Sequence, residues 1–456
     1  MTNFVEYGPY LEVPADRTGP LEADLDADVA IIGAGYTGLS TALALRSAGL
    51  DPVLLDADFA GAGASGRNAG HLTPTIGKDL PTLLRFYGRE CAAALVRFAD
   101  AAVEHTERVM EKYATECAYR PSGNFLAAVH PGHGRKLERA AELGASMGAR
   151  IRFVAEGEMR ERGLPAAFLC GVLEQAGGTF DPGRYVLGMR RAARTAGVRL
   201  FERTPVTAVE DGPRIRLRTP RGTVTAARIV VATNGYTASL GWQRRAVVPI
   251  ACSLFETDPL SDAQRDALGW RGGEGIYTAH ESLESYRVSA RGSIVGGVKT
   301  VRYGYASQLP AADDPRSFAI IERAFRERFP DLSDLGIRHF WTGWLGFTPD
   351  FLPSLGVSGR HRNVHHAIGF AGHGVAQATL MGDLVAEQIQ GREHPLASAL
   401  HRRTFAWPPE PLRWLAFQAI NRTLGALDAR TDRQIRRLAS AHSAAAPVRS
   451  RGTRAR

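Results

Sequence analysis

Cysteine is scarce in this chain. Its 456 residues contain four, Cys91, Cys117, Cys170 and Cys252, scattered and with no CxxC pair. That spacing excludes a disulfide framework and a cysteine-based zinc site, and reads as reduced thiols in a cytoplasmic protein. Long hydrophobic runs are missing too. Stretches such as Val29–Ile32 and Ile229–Ala232 stop after 4 residues, against the ~20 a membrane helix needs. The first 27 residues carry several Asp and Glu and no apolar core, so no signal peptide is expected there. No GxSxG occurs, and no Ser or Cys stands in a nucleophile context, so hydrolysis has no candidate. Metal ligation is not expected either. His130 and His133 share a turn with no third ligand nearby, and His365 and His366 point to opposite faces of a strand.

Charge of one sign is also lacking over most of the chain. The formal net charge is +9, but residues 396–456 hold 12 Arg against 3 acids. The first 395 residues carry 44 basic and 44 acidic side chains, net zero. The body has no global field for nucleic acid or a membrane surface. Its basicity belongs to a C-terminal extension.

What is present begins at Asp28. Val29–Ile32 reads as a strand buried on both faces. It runs into Gly33-x-Gly35-x-x-Gly38 and a helical stretch that stops at Gly49. A second strand, Pro52–Leu55, ends at Asp56, 23 residues after Gly33. This is the dinucleotide-binding βαβ unit. The first glycine makes the turn, the second admits a pyrophosphate, and the third lets helix pack on strand. The helix N-terminus favours phosphate, and Asp56 is placed for ribose hydroxyls. A second match, Gly61-x-Gly63-x-x-Gly66, opens no helix. It reads as a backbone-rich loop laid on a large ligand, with Ser65 and Arg67 as polar contacts.

Two distant segments favour a flavin over a nicotinamide nucleotide. Ala232-Thr-Asn-Gly235 ends a strand about 200 residues on, as in a fold that returns to its nucleotide domain. Gly369-Phe-Ala-Gly372-His373-Gly374 opens another helix, whose N-terminus suits the flavin N1–C2=O region as it turns negative.

The expected class is α/β: a Rossmann-like FAD-binding domain interleaved with a smaller substrate domain built on a mixed or antiparallel sheet, plus a C-terminal helical extension. The FAD domain is assigned to 1–90, 178–245 and 335–395, the substrate domain to 91–177 and 246–334, and the extension to 396–456. Helices are expected over 79–115, from Asp181 to Gly197, at Ser261–Leu268 and at Phe318–Phe329. The last ten residues are expected to be disordered.

On the segments 27–40, 61–70, 229–236, 341–356 and 369–376, the chain resembles the FAD-dependent D-amino-acid-oxidase-like superfamily. The branch is that of the sarcosine and glycine oxidases, which includes γ-glutamylputrescine-type amine oxidases. The resemblance implies FAD contacts at Gly33, Gly35, Gly38, Asp56, Ser65, Arg67, Asn68, His71, Val206, Gly372, His373 and Gly374. It also implies that Lys299 matches an oxygen-activating lysine, a cation stabilising developing superoxide; the alternative is an outward-facing strand-end lysine. The activity it implies is oxidation of an amine C–N bond, with the flavin reoxidised by O2 or by another acceptor.

Two departures matter. Sarcosine oxidases attach flavin through a Cys in the stretch matching 341–348, and none is present, so noncovalent FAD is expected, with a histidyl link at His71 as the alternative. Ala376 replaces the lysine that holds a substrate carboxylate, so amines without an α-carboxylate are expected, such as a polyamine or its γ-glutamyl adduct. Tyr286, Tyr303 and Trp344, with Tyr305 and Trp341, are candidates to face a substrate cation. Glu281, Glu284 or Asp350 would pair with it.

In the extension, Leu412, Leu415, Ala419, Ile420, Thr423, Leu424 and Leu427 form a helical apolar stripe flanked by Trp414, Phe417 and several Arg. Packing on the body or on a second subunit is the favoured reading. Peripheral contact with anionic lipid, serving a quinone-linked dehydrogenase, is the other. A flavin-binding interaction protein without turnover is a third reading of the whole chain.

Overall fold

A computed structural model describes residues 3–445 except Gln243 and Arg403. The last ten residues lie outside that range. Two large sheets organise the chain. The first has the order Ser354–Ser358, Val364–Ile368, Thr223–Val231, Leu25–Ile32, Pro52–Leu55, Arg199–Phe201. Ile215–Arg218 and Ala208–Glu210 fold onto it as an antiparallel hairpin. The central strands are parallel, with Ile31 opposite both Leu54 and Val230. Burial of both faces explains the unbroken apolar runs there. One face is covered by four helices, Tyr36–Ser47, Leu80–Tyr113, Pro182–Thr195 and Gly374–Ile389, whose apolar sides join one core.

The second sheet has the order Ile337–Phe347, Val248–Pro259, Ser293–Tyr303, Glu284–Val288, Gly275–Thr278, Asn124–Ala128, Cys170–Glu174, Ile151–Val154. All its pairs are antiparallel except Gly275–Thr278 with Asn124–Ala128. Pro315–Arg328 covers its outer face, burying Phe318, Ile321 and Phe325 with Phe255 and Phe340. The fold is therefore the expected α/β pair of sheets with a C-terminal helix.

Two segments fall on the other side of the expected boundaries. Ile337–Phe347 pairs along its length with Val248–Pro259 in the second sheet, so the chain rejoins the first sheet only at Ser354. Leu80–Tyr113 buries Leu95, Phe98 and Ala102 in the core of the first sheet. It bends at Gly88, whose φ of 77° breaks the helix.

The C-terminal helix, Leu412–Ala445, docks on the body through both apolar and charged side chains. Phe417 stacks on Tyr303 at 4.6 Å and lies 5.1 Å from Trp407. Asp428 accepts the backbone N–H groups of Glu281 and Ser282, each at 2.9 Å. Asp432 meets Arg328 at 2.8 Å, Lys299 at 3.1 Å and His280 at 3.2 Å. The apolar stripe faces away from the body: Leu412 is 59% exposed, Leu415 53%, Ile420 49% and Leu427 47%. Among the described residues no helix is long and apolar enough to cross a membrane.

Candidate functional site

A cleft of about 480 Å³ opens at the carboxyl ends of the first sheet's central strands and reaches the first strand of the second sheet. Its size falls in the ~300–1,000 Å³ range of ligand sites. Gly33, Gly35, Asp56, Ser65, Arg67, Asn68, Val206, Trp344, Gly372 and Gly374 line it.

The glycine turn shows why this sequence is needed. Gly33 has φ +99°, and a Cβ there would stand 2.9 Å from the Ala232 carbonyl oxygen. A Cβ on Gly38 would overlap the Gly33 carbonyl oxygen, so Gly38 sets the approach of helix to strand rather than lining the cleft. Neither the helix at Tyr36 nor that at Gly374 has a side-chain cap bond from its N-cap residue. Two helix N-termini thus face one cleft, a cradle for an elongated anion.

Asp56 is half-buried at the base of the cleft. Its Oδ2 accepts from Ala34 N at 2.8 Å and its Oδ1 from Asp58 N at 3.0 Å. Burial pushes its carboxyl up to about 6, against these backbone bonds. Each oxygen keeps acceptor capacity for a hydroxyl. Arg67 is fixed by the Ala62 carbonyl at 2.7 Å and the Thr342 carbonyl at 3.2 Å, with its guanidinium 5.2 Å from the Trp344 ring centre. Thr233, Asn234 and Tyr236 of segment 229–236 and Phe370 of segment 369–376 also line the cleft, together with Leu309, which no sequence signal marked. They follow strand ends with no periodic pattern, although Thr233-Asn-Gly-Tyr236 stood out as a strand terminus.

His373 and His71 do not line the cleft. His373 hydrogen-bonds Thr75 Oγ1 through Nδ1 at 2.5 Å, and burial lowers it to about 4, a neutral ring pinning the 73–75 segment to the helix start. His71 is turned toward the second sheet, with Nδ1 3.1 Å from Asn124 Oδ1.

Lys299, Tyr286 and Tyr303 lie elsewhere. Lys299 Nζ sits 2.8 Å from Glu284 and 3.1 Å from Asp432, in an ion cluster completed by Arg328 and His280. That corrects both an oxygen-activating cation and an outward-facing lysine. His280, Glu284 and Asp432 approach closely enough for a metal, but Lys299 and Arg328 already supply the positive charge. Tyr286 is buried against Phe329, its hydroxyl bonded to Glu284 at 3.1 Å. Tyr303 bonds Glu410 at 2.6 Å beneath Phe417. Asp350 is held by Arg402. None of Tyr286, Tyr303, Glu284 and Asp350 lines the cleft.

The sequence places the chain among known proteins. Residues 28–388 match the DAO family model, described as FAD dependent oxidoreductase. The chain belongs to this family. FAD is therefore its cofactor, and the glycine turn, the two helix N-termini and Asp56 fit that group. The γ-glutamylputrescine oxidoreductase of Escherichia coli K12 is 28% identical over 388 residues, covering 84% of this chain and 88% of that one. A probable oxidoreductase OrdL of Rhizobium meliloti is 30% identical over 386 residues, covering 81% and 84%. Among solved structures, glycine oxidase from Geobacillus kaustophilus superposes with a TM-score of 0.70 at 20% identity, covering 84% of this chain and 100% of that one. L-amino acid deaminase from Proteus vulgaris gives 0.69 at 15%, covering 86% and 100%. These structures share the family's fold.

One consequence concerns attachment. With no Cys in 341–348, and with His71 held against Asn124, acid precipitation of the yellow protein is expected to release free FAD into the supernatant. Colour remaining in the pellet would contradict noncovalent binding.

Proposed function

We propose that this enzyme oxidises the C–N bond of an amine that carries no α-carboxylate beside the reacting nitrogen. The observation that carries the reading is the join of the cleft to the second sheet. Segment 67–71 leaves the cleft after Asn68 and runs onto that sheet, meeting Thr342 through Arg67, Arg287 at Ala69 and Asn124 through His71. A substrate lying under this segment reaches the cofactor cleft at one end and a polar sheet face at the other. FAD, when bound, supplies a hydride acceptor at N5, and the oxidised substrate leaves as an imine for hydrolysis. The chain's part is to orient the amine, exclude water and fix the cofactor.

Ala376 supports the absence of a carboxylate partner. It is buried in the helix that starts at the cleft, and the adjacent Gln377 is committed to the Thr75 carbonyl at 2.6 Å. The E. coli relative is named for a γ-glutamyl diamine, in keeping with such a substrate.

Electrons leave to O2 in the reading we adopt. A second acceptor is favoured by one observation. The exposed row Leu412, Leu415, Ile420 and Leu427 is accompanied by exposed Arg422, Arg430, Arg433 and Arg437, while the helix acids Asp428 and Asp432 face the body. That charge pattern complements an anionic membrane surface carrying a quinone. An oxygen electrode run in parallel with a dye acceptor separates the two. Amine-dependent O2 uptake with H2O2 formation supports the oxidase; dye reduction without O2 uptake supports the dehydrogenase.

A further inference from the structure

Most buried carboxylates among the described residues are matched by cations, and Asp428, which is not, is filled by two backbone N–H groups. Glu202 is paired with Arg190, Glu256 with Arg291, Asp350 with Arg402, and Glu284 with Lys299 and Arg328. Glu174 is 6% exposed, and its Oε2 has no hydrogen-bond partner among the described residues. Burial pushes its carboxyl up to about 7.

Glu174 is not isolated. It stands opposite Asn124 in the second sheet, and Asn124 stands opposite Gly275. Tyr277 lies two residues on from Gly275, on the same face, and opposite Ser285. The Tyr277 hydroxyl and Ser285 Oγ are buried without partners too. The Tyr277 hydroxyl is near enough to Glu174 for each to affect the other's ionisation, yet the two form no well-shaped hydrogen bond. His71 lies over Gly275, where a Cβ would collide with its ring, and packs edge-on to Tyr277 with ring centres 6.3 Å apart.

The polarity of these groups is decided by neighbours. Asn124 donates through Nδ2 to the Leu72 carbonyl at 2.8 Å, so its Oδ1 accepts from His71 Nδ1–H. That leaves His71 Nε2 as a bare acceptor, buried and unpartnered. Burial lowers His71 to about 4, so the ring is neutral and does not serve as the missing cation. Arg287, on the same face, donates to the Ala69 carbonyl instead. The patch therefore offers a carboxylate faced by the Tyr277 hydroxyl and an imidazole lone pair, with no cation paired to either. Unfilled acceptors in a buried site are costly unless something supplies protons.

We propose that Glu174, His71 Nε2 and Tyr277 form the seat of a substrate ammonium group distinct from the nitrogen that is oxidised. The reacting nitrogen must be neutral to release hydride, and a carboxylate beside it would hold its proton on. The seat thus suits the far cation of a diamine or of an aminoalkyl adduct. Ser285, Tyr277, Asn124 and Glu174 occupy four adjacent strands, a row of about 15 Å at strand spacing, long enough for an extended chain. The inference rests on the amine-oxidation reading above and adds the second charge.

Equilibrium dialysis of oxidised, anaerobic holoenzyme against putrescine and against butan-1-amine tests it without relying on turnover. Wild-type enzyme is expected to bind putrescine at least about tenfold more tightly, a ratio that corresponds to one ion pair. Glu174→Gln keeps the shape and is expected to erase that preference, leaving butan-1-amine binding and flavin content unchanged. No preference in the wild type, or a preference that survives Glu174→Gln, overturns the seat. If the preference disappears in the variant but no amine bleaches the flavin, the seat stands and amine oxidation falls. If amines bleach the flavin with no such preference, oxidation stands and the seat falls.

Discussion

Asp432→Ala is expected to destabilise the protein by about 3–5 kcal/mol, the usual cost of removing one partner from a buried ion pair. Asp432 contributes the anion that balances Arg328 and Lys299, and its side chain is only 12% exposed. Without it, two cations share Glu284 alone. Burial by itself would raise the Asp432 carboxyl, but the His280 hydrogen bond and the charges of Lys299, His280 and Arg328 outweigh it and hold it well below the usual range. Glu284 is likewise held down by Arg328 and Lys299 against its burial. A depressed folded value places the stabilisation above the unfolded carboxylate pKa of about 4, with loss as pH falls below it. Melting temperature should therefore drop steeply below about pH 4 in the wild type and less steeply in Asp432→Ala. Lys299→Met should also lower the melting temperature, while reoxidation of reduced flavin keeps its rate. An unchanged melting temperature in both variants would show that the C-terminal helix is not anchored through this cluster.

The second large effect is expected at Asp56. Asp56→Ala removes the acceptor of Ala34 N and Asp58 N as well as the candidate ribose acceptor. Loss of a charged hydrogen-bond partner costs about 1.5–3 kcal/mol, roughly tenfold to a hundredfold in FAD affinity. Asp56→Asn keeps an acceptor oxygen and should fall between. The readout is the flavin retained after dilution and gel filtration. Full retention by Asp56→Ala would mean that the carboxylate neither shapes the turn nor reaches the nucleotide.

Local chemistry made the first sheet legible. An apolar run, a glycine turn and an acid at the next strand end occupy contiguous sequence, and the structure builds them as Leu25–Ile32, Tyr36–Ser47 and Pro52–Leu55. Asp181 and Ser261 cap the helices expected to start there. The fate of Lys299 was not legible, for two reasons. Gly297, Val298 and Lys299 all have positive φ, an irregularity that breaks the strand's alternation and re-aims the side chain. Its partner Asp432 lies in a helix far along the chain, and Glu410, the partner of Tyr303, stands just before that helix. The apolar stripe of the last helix was visible by period, but period does not say which face docks. Here the docking face uses Arg413, Asp428 and Asp432, so the stripe is left exposed. Glu174 and His71 drew no notice as a pair because their proximity depends on Asn124 and Gly275, contributed by two further strands.

The central claim is that an amine reduces the bound flavin. Mixing anaerobic holoenzyme with a panel of primary amines, diamines and their γ-glutamyl adducts, and following the flavin absorbance band, tests it directly. The account predicts full bleaching by at least one amine without an α-carboxylate, and little by glycine or sarcosine. Bleaching by glycine or sarcosine alone, or by no amine at all while dithionite still reduces the flavin, would contradict it.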